Sequence, residues 1–253
     1  MGAAAPRLCP SRTPDAHWRG SPAWVAALLG LLVAGAALPG VGPEDRRIPM
    51  DQSSMPWAAL ARVQIPGTSR CTAFLIDPHT AVTAAHCLYS RPLGRMVPAT
   101  AVHVLVGYAR GGFAAHRIAA SLTTFPGFRP GGTAPDVAVI HFDDAPIGLQ
   151  QALALLDTPL PAGTPLMLGG YGQDRNEVMT ADTRCSAQGY ASTSQGAALV
   201  HDCAGTHGTS GAPLLARAPS GQWAVAGMQV AARADGSGGT ALPAAAIRSL
   251  ISR

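Results

Sequence analysis

Residues 71–87, CTAFLIDPHTAVTAAHC, contain a short apolar run, a turn sequence and a histidine next to a cysteine. The run TAFLI at 72–76 ends at a turn that contains proline. Apolar runs of about four to eight residues that are bounded by turn residues are typical of buried β-strands. The stretch therefore predicts a strand, with His86 at the edge of a further apolar strand.

Similar apolar runs recur along the rest of the chain, separated by Gly and Pro. They are AALARVQI (58–65), AVHVLVG (101–107), DVAVIHF (136–142), PLMLGGYG (165–172), ALVHD (198–202), GAPLLA (211–216) and WAVAGMQV (223–230). The tail ALPAAAIRSLISR at 241–253 differs, because its apolar residues can share one helical face. Many short strands with one terminal helix predict an all-β architecture of one or two barrels.

The composition excludes several classes of protein. Of the 253 residues, 47% are hydrophobic, which is too many for a disordered chain, and 22 prolines are incompatible with a helical bundle or coiled coil. The formal net charge is +4, and all 18 positive side chains are arginines that are scattered along the chain. Because a nucleic-acid-binding surface needs clustered basic residues, we expect no nucleic-acid partner.

The amino-terminal region has the features of a targeting segment. A basic stretch precedes the apolar run PAWVAALLGLLVAGAAL at 22–38, which contains small residues suited to signal cleavage. This order predicts a signal peptide at 1–37; the alternative is a retained membrane anchor, because 17 apolar residues approach the length that spans a bilayer. Residues 38–56 are then a linker, a propeptide or an N-terminal arm. We expect 57–253 to form a folded domain, secreted or periplasmic, without membrane contact after signal cleavage.

The chain has five cysteines, and removal of the predicted signal peptide removes Cys9. The other four are expected to reach an oxidising compartment, which predicts two disulfides. Metal ligation is the alternative, but these cysteines lack the close C-x-x-C spacing of zinc sites, so we expect no metal. The four cysteines are Cys71, Cys87, Cys185 and Cys203.

Three short segments carry side chains suited to nucleophilic catalysis. They are Thr83-Ala84-Ala85-His86-Cys87, Asp136-Val137-Ala138-Val139-Ile140 and Gly208-Thr209-Ser210-Gly211-Ala212-Pro213. Each segment alone is compatible with ordinary packing or a turn. Together they supply a hydroxyl nucleophile, an imidazole that can accept its proton and a carboxylate that can fix the tautomer of that imidazole. The glycine before the serine also permits a backbone that aims amides at a developing oxyanion.

These segments, in the order His86, Asp136, Ser210, resemble the trypsin/chymotrypsin family of serine endopeptidases. That family has a cysteine directly after the histidine and another one 16 residues earlier, as this chain does. The intervals of 50 and 74 residues between the three groups resemble its compact bacterial branch, which includes glutamyl endopeptidases. Met55-Pro56-Trp57 and Cys203, seven residues before the serine, resemble that branch as well. The similarity covers essentially the whole mature chain.

The resemblance implies two six-stranded antiparallel β-barrels, with an active site in the cleft between them. It implies that His86 is the general base, that Asp136 orients it and that Ser210 is the nucleophile. The amides of Gly208 and Ser210 are then expected to form the oxyanion hole. The disulfides that the resemblance implies are Cys71–Cys87 and Cys185–Cys203.

The sequence departs from the trypsin-like pattern at several positions. Thr209 replaces the aspartate that receives a new amino terminus in trypsin-like zymogens, so cleavage within Arg46-Arg47-Ile48 is not expected to activate the protein by ion-pair insertion. Ala204 replaces the acid of the trypsin-like pocket, and Gln229 replaces the histidine of glutamyl endopeptidases. The expected pocket takes small or apolar side chains and is lined by Ala204, Gly205, His207 and Gln229.

We therefore expect a secreted, monomeric serine endopeptidase that acts on protein or peptide substrates without a cofactor. The alternative is a non-catalytic relative that keeps the fold as a binding protein. An esterase on another scaffold is a further alternative, but its serine normally precedes the acid and the histidine in the chain. The order here is the reverse.

Overall fold

The computed structural model describes residues 41, 42, 44–143 and 152–253, together with Gly2. The predicted signal peptide at 1–37 lies outside these residues, apart from Gly2. Every element below lies in one compact unit, Ala37–Arg253. None of the helices in the described ranges has the length and apolar character needed to cross a bilayer.

Within the described residues, the chain forms sixteen strands and one α-helix. The strands are β1 (Ile48–Pro49), β2 (Leu60–Ile65), β3 (Ser69–Asp77), β4 (Thr80–Thr83), β5 (Tyr89–Ser90), β6 (Arg95–Met96), β7 (His103–Val106), β8 (Ala115–Ile118), β9 (Ser121–Thr124), β10 (Ala138–His141), β11 (Pro165–Gly170), β12 (Thr180–Thr193), β13 (Gly196–His201), β14 (Pro213–Arg217), β15 (Trp223–Ala232) and β16 (Gly239–Pro243). Helix α1 is Ala244–Ile251, and short 3-10 turns lie at Trp57–Ala59, Ala85–Leu88, Ala99–Ala101 and Gln173–Arg175.

Fourteen of these strands build two curled antiparallel sheets, which confirms the all-β, chymotrypsin-like fold with a C-terminal helix; β5 and β6 pair in a separate two-stranded sheet. The first sheet has the order β8-β7-β2-β3-β4-β10-β9, and the second has the order β1-β12-β11-β14-β15-β16-β13. Strand β13 also pairs with β12, so six strands of the second sheet follow one another in a closed circuit of pairings. Each sheet has seven strands rather than the expected six. In the second sheet the additional strand is the short β1, which pairs with the first residues of β12 along the edge opposite β11.

The apolar runs seen in the sequence fill the interiors of these sheets. In β2, Leu60, Ala61 and Val63 are completely buried, and Leu214 and Leu215 of β14 are buried to the same extent. Burying a leucine side chain stabilises a fold by about 2 kcal/mol. Strands β4 and β10 are mostly buried as well, so the cores hold β4, β10 and β14 in place, and the loops that carry the candidate site residues begin or end on these three strands.

Helix α1 is shorter than predicted. It begins at Ala244, whereas residues 241–243 belong to β16 and pair with β15. Leu242 lies opposite Met228, and Pro243 still has the extended ψ of 151°. The strand pairing satisfies the backbone of these residues, so the helix starts only where that pairing ends.

Both disulfides of the expected pairing are present. Cys71–Cys87 joins β3 to the turn Ala85–Leu88, and Cys185–Cys203 joins β12 to the loop after β13. They close loops of 16 and 18 residues.

Replacing Cys71 and Cys87 together with alanine is expected to lower the free energy of unfolding by about 3 kcal/mol, because the bridge restricts the unfolded chain. Urea unfolding of the double variant and the wild type, both in the oxidised state, measures this difference. A loss below about 1 kcal/mol would show that the bridge adds little to stability.

Candidate active site

His86 and Asp136 come together because their strands pair. Strand β4 ends at Thr83 and leads into the turn Ala85–Leu88, which carries His86. Asp136 precedes β10, which pairs antiparallel with β4 so that Ala138 lies opposite Thr83. The residues just before β10 therefore lie beside the residues just after β4.

The Asp136 carboxylate holds His86 at two points. One carboxylate oxygen accepts the backbone N–H of His86 at 2.8 Å, and the other lies 2.6 Å from Nδ1 of the ring. With a carboxylate as its partner, Nδ1 carries a proton, and Nε2 is left as an acceptor. The Asp136 side chain is 13% exposed and that of His86 is 29% exposed, so the ring remains accessible to a substrate.

Ser210 lies against the first sheet and close to His86. Its carbonyl oxygen accepts the N–H of Thr72 in β3 at 2.9 Å. The sulfur of Cys87 lies 3.8 Å from Nε2 of His86 and 4.0 Å from the carbonyl oxygen of Ser210, so this one atom contacts both residues. Within the described part of the chain, the Ser210 hydroxyl has no hydrogen-bond partner and is free to meet a substrate.

Several backbone amides of the loop from Gly205 to Ser210 have no acceptor among the described residues. The neighbouring amides of Thr209, Gly211 and Ala212 donate to backbone carbonyls at 3.1, 2.8 and 2.9 Å. By contrast, the N–H groups of Gly208 and Ser210 have no partner among the described residues. Fixed N–H donors without an internal partner are what an oxyanion hole requires.

The backbone at Gly208 explains how its amide stays free. Gly208 has a φ of +94°, and a Cβ at this position would collide with the carbonyl oxygen of Tyr171. The carbonyl of the preceding His207 accepts the N–H of Gln173 at 2.6 Å. Because a trans peptide points its C=O and N–H in opposite directions, this bond holds the Gly208 N–H away from Gln173.

The four expected pocket residues do not share one environment. Ala204 and Gln229 are each 2% exposed, and Gly205 is buried as well. A Cβ on Gly205 would lie 2.7 Å from a methyl group of Leu168, so this position is tightly packed. His207 is exposed, which places its side chain outside the buried group.

The side chain of Gln229 is bound to His201, a pairing that the sequence alone does not predict. Nε2 of His201 lies 2.6 Å from Oε1 of Gln229, and Nδ1 accepts the N–H of Cys203 at 3.2 Å. The ring is therefore neutral, with its proton on Nε2. Nε2 of Gln229 donates to the carbonyl of Ala231 at 3.0 Å, and a Cβ on Gly239 would lie 2.6 Å from the same nitrogen. The Gln229 amide thus fills the space beside Gly239. The sequence offers one sign of this pair: His201 and Gln229 are polar residues that lie inside the otherwise apolar runs ALVHD and WAVAGMQV.

Acidification is expected to destabilise the protein through His201. Burial lowers the pKa of His201 from 6.5 to about 4, although Gln229 and the carboxylates of Asp202 and Asp182 favour the charged form. Between these two values the unfolded chain binds more protons than the folded protein, so stability is full above pH 6.5 and is lost as the pH falls towards 4. The expected loss is up to about 3 kcal/mol. Urea unfolding across this range measures the slope, which His201→Gln should flatten; equal slopes in both proteins would contradict this assignment.

Two groups of side chains in the described residues have spacing that a metal ion could use. Both include the two sulfurs of a disulfide, which are not thiolates and do not act as metal ligands. Each group therefore offers a metal only one remaining ligand. The groups are Cys71, His86 and Cys87, and Cys185, Asp202 and Cys203.

Comparison with known proteins gives a family match over most of the chain. Residues 48–251 match the family described as Trypsin. A stretch of 59 residues is 39% identical to an extracellular metalloprotease of Bacillus subtilis (strain 168), covering 21% of this chain and 19% of that protein. The chain thus spans about a fifth of the length of this relative.

Two solved structures share the fold. The VesB protease of Vibrio cholerae matches with a TM-score of 0.64 at 18% identity, over 81% of this chain and 66% of that one. A Glu endopeptidase in complex with MPD matches with a TM-score of 0.62 at 19% identity, over 84% of this chain and 97% of that one. At these identities, the similarity establishes the arrangement of the two sheets.

Proposed function

This chain belongs to the trypsin family of serine endopeptidases, and we propose that it hydrolyses peptide bonds through an acyl-enzyme on Ser210. The observation that carries the proposal is the contact of both Asp136 carboxylate oxygens with His86, which leaves Nε2 as the ring nitrogen that can accept a proton. Cys87 Sγ contacts both Nε2 and the carbonyl of Ser210, which supports a place for Ser210 on this side of the ring. Protein or peptide substrates follow from the family.

In acylation, Nε2 of His86 takes the proton of the Ser210 hydroxyl while Oγ bonds to the carbonyl carbon of the substrate. Asp136 stabilises the resulting imidazolium through Nδ1. The carbonyl oxygen becomes negatively charged and accepts the N–H groups of Gly208 and Ser210. His86 then donates its proton to the leaving nitrogen, the C–N bond breaks, and the acyl group remains as an ester on Ser210.

In deacylation, His86 takes a proton from a water molecule, whose oxygen attacks the ester carbon. The same two amides stabilise the second oxyanion. Collapse of this intermediate breaks the bond to Oγ, which recovers the proton from His86, and the carboxylic acid product leaves. The residues named supply every proton transfer in this cycle.

We propose that the substrate residue before the cleaved bond is small or apolar. The pair His201 and Gln229 uses its polar atoms internally, and Ala204 contributes no charge. An arginine or lysine would lack a counter-charge, and a glutamate would lack a cation. Cleavage profiling with a peptide library tests this proposal; a strong preference for cleavage after Glu, Arg or Lys would overturn it.

Export of the protein is a further part of the proposal. A signal peptide at 1–37 would carry the domain at 57–253 out of the cytoplasm, and the two disulfides suit an oxidising compartment. Amino-terminal sequencing of protein recovered outside the cytoplasm tests this part.

An organophosphonate serine probe tests the catalytic assignment. Folded wild-type protein is expected to bind one equivalent of probe, and Ser210→Ala is expected to bind none while unfolding at a similar temperature. If folded wild-type protein remains unlabelled and does not cleave peptides, the chain is a binding protein with the fold of a peptidase.

A further inference from the structure

The segment that leads into β1 and includes it carries two arginines in a network of ion pairs. We call residues 45–49 the arm. Nε and one terminal nitrogen of Arg46 lie 3.1 and 2.8 Å from the same Asp182 oxygen, and that terminal nitrogen also donates to the carbonyl of Asp202 at 2.7 Å. The Arg47 side chain is 1% exposed and pairs with the carboxylates of Asp45 and Asp174.

Arg46 connects the arm to the beginning of the loop that leads to Ser210. Its partner Asp182 lies in β12 and is completely buried. The Asp182 oxygen that binds Arg46 also accepts the N–H of Ala204 at 2.9 Å. A buried carboxylate needs a cation and hydrogen-bond donors to remain charged. Arg46 therefore supports the group that holds Ala204.

Arg47 connects the arm to the region around Gly208. It donates to both oxygens of Asp174, at 3.0 and 2.6 Å. The neighbouring Gln173 binds the carbonyl of His207 through its N–H, and this bond orients the free amide of Gly208. Arg47 thus acts on the orientation of that amide through one turn of chain, Gln173–Arg175.

Arg175, which follows Asp174 in the same turn, also binds the arm. Arg175 donates to the carbonyl of Arg47 at 3.1 Å and to the carboxylate of Asp45 at 2.6 Å. Gly172 leaves room for these groups, since a Cβ there would lie 2.6 Å from Asp174 Oδ1 and 3.0 Å from a terminal nitrogen of Arg47. Hydrogen bonds from Arg47 lower the pKa of Asp45, so the network stays charged near neutral pH.

We propose that Arg46 and Arg47 are positioning residues that hold the loop from Ala204 to Ser210 in its catalytic shape, with the arm uncut. This rests on the proposed function, because the loop carries the proposed nucleophile and both oxyanion donors. Thr209 has no charge to receive a new amino terminus, and its hydroxyl already donates to the carbonyl of Thr206 at 2.6 Å. Two internal guanidinium groups therefore order the loop without a cleavage step.

The test uses the full chain with Arg46→Gln or Arg47→Gln, and Arg233→Gln as the control. Arg233 pairs with Asp235 in an exposed ion pair, at 3.3 Å. Active sites are counted by phosphonate titration, so kcat refers to competent molecules only. A peptide boronic acid, which forms a tetrahedral adduct with its oxygen at the oxyanion amides, is measured in parallel.

We expect Arg46→Gln and Arg47→Gln to lower kcat by about 10- to 100-fold and to weaken boronate binding by a similar factor, because slight misplacement of a donor costs that much. KM should change less than about threefold, since the binding of the ground state does not depend on these amides. The control should match the wild type.

Unchanged kcat and boronate affinity in titrated, folded Arg47→Gln would overturn the proposal, and so would an effect on KM alone. If Arg47→Gln does not fold, Asp174→Asn removes the same ion pair from the side of the turn Gln173–Arg175. This variant must then show the same loss of kcat and of boronate affinity. An inactive, unlabelled wild type would instead refute the proposed function, so the two failures are distinguishable.

Discussion

Replacing Asp136 with asparagine is expected to lower kcat by about 10⁴-fold, with little change in KM. The two carboxylate oxygens now bind the backbone N–H and the Nδ1 of His86, at 2.8 and 2.6 Å. An asparagine can keep its oxygen on the backbone N–H, but it then turns an NH₂ group towards Nδ1. The ring must then carry its proton on Nε2, where it cannot accept the proton of Ser210.

Steady-state cleavage of a peptide measures this loss, and Asp235→Asn is the matched control. Asp235 is an exposed aspartate that pairs with Arg233, so it reports the effect of removing one surface carboxylate. A loss below about tenfold at neutral pH would mean that Asp136 does not set the tautomer of His86.

Gly211→Ala is expected to destabilise the fold by more than about 4 kcal/mol, or to prevent folding. Gly211 has a φ of +84°, and a Cβ there would collide with the carbonyl oxygen of Thr72 and the hydroxyl of Thr83. Both atoms are fixed, because the Thr83 hydroxyl donates to that same carbonyl at 2.7 Å. The close approach of Gly211 to these two strands holds the neighbouring Ser210 against the first sheet, where its carbonyl oxygen accepts the N–H of Thr72.

Gly221→Ala is the control that separates the effect of backbone strain from the effect of the steric collision at Gly211. Gly221 has nearly the same backbone conformation, with a φ of +81°, but a Cβ there would meet nothing within 4 Å. It should lose about 1–2 kcal/mol through backbone strain alone. Denaturant unfolding of both variants measures the difference; equal losses would show that the collision at Gly211 is relieved by movement of the loop.

The contact between His86 and Asp136 could be anticipated because short motifs carry both residues; Ser210 remains the proposed nucleophile. His86, Asp136 and Ser210 each lie next to a strand whose apolar pattern is visible in the sequence, and the cysteine after the histidine points to its partner. Strand pairing then brings the first two together, since β4 and β10 are neighbours in the sheet.

The ion pairs of the arm and the hydrogen bond between His201 and Gln229 could not be predicted in this way. They join residues that are far apart in the sequence and that belong to no recognisable motif. Arg46 and Asp182 are separated by 136 residues, and Arg47 and Asp174 by 127. In the sequence, Arg46-Arg47 has the appearance of a processing site, and its burial depends on where β1 pairs along β12. The bond between His201 and Gln229 likewise arises from the packing of two strands, β13 and β15, on either side of β16.

Ser210 is expected to carry the acyl group during each turnover. The most direct measurement mixes the enzyme with p-nitrophenyl acetate, quenches the reaction with acid within the first turnover and maps the acetylated peptide by mass spectrometry. We predict a burst of one equivalent of p-nitrophenol and acetyl attached to Ser210, with neither in Ser210→Ala. A burst with the acetyl group on another residue, or ester hydrolysis without any covalent intermediate in the wild type, would show that Ser210 is not the nucleophile.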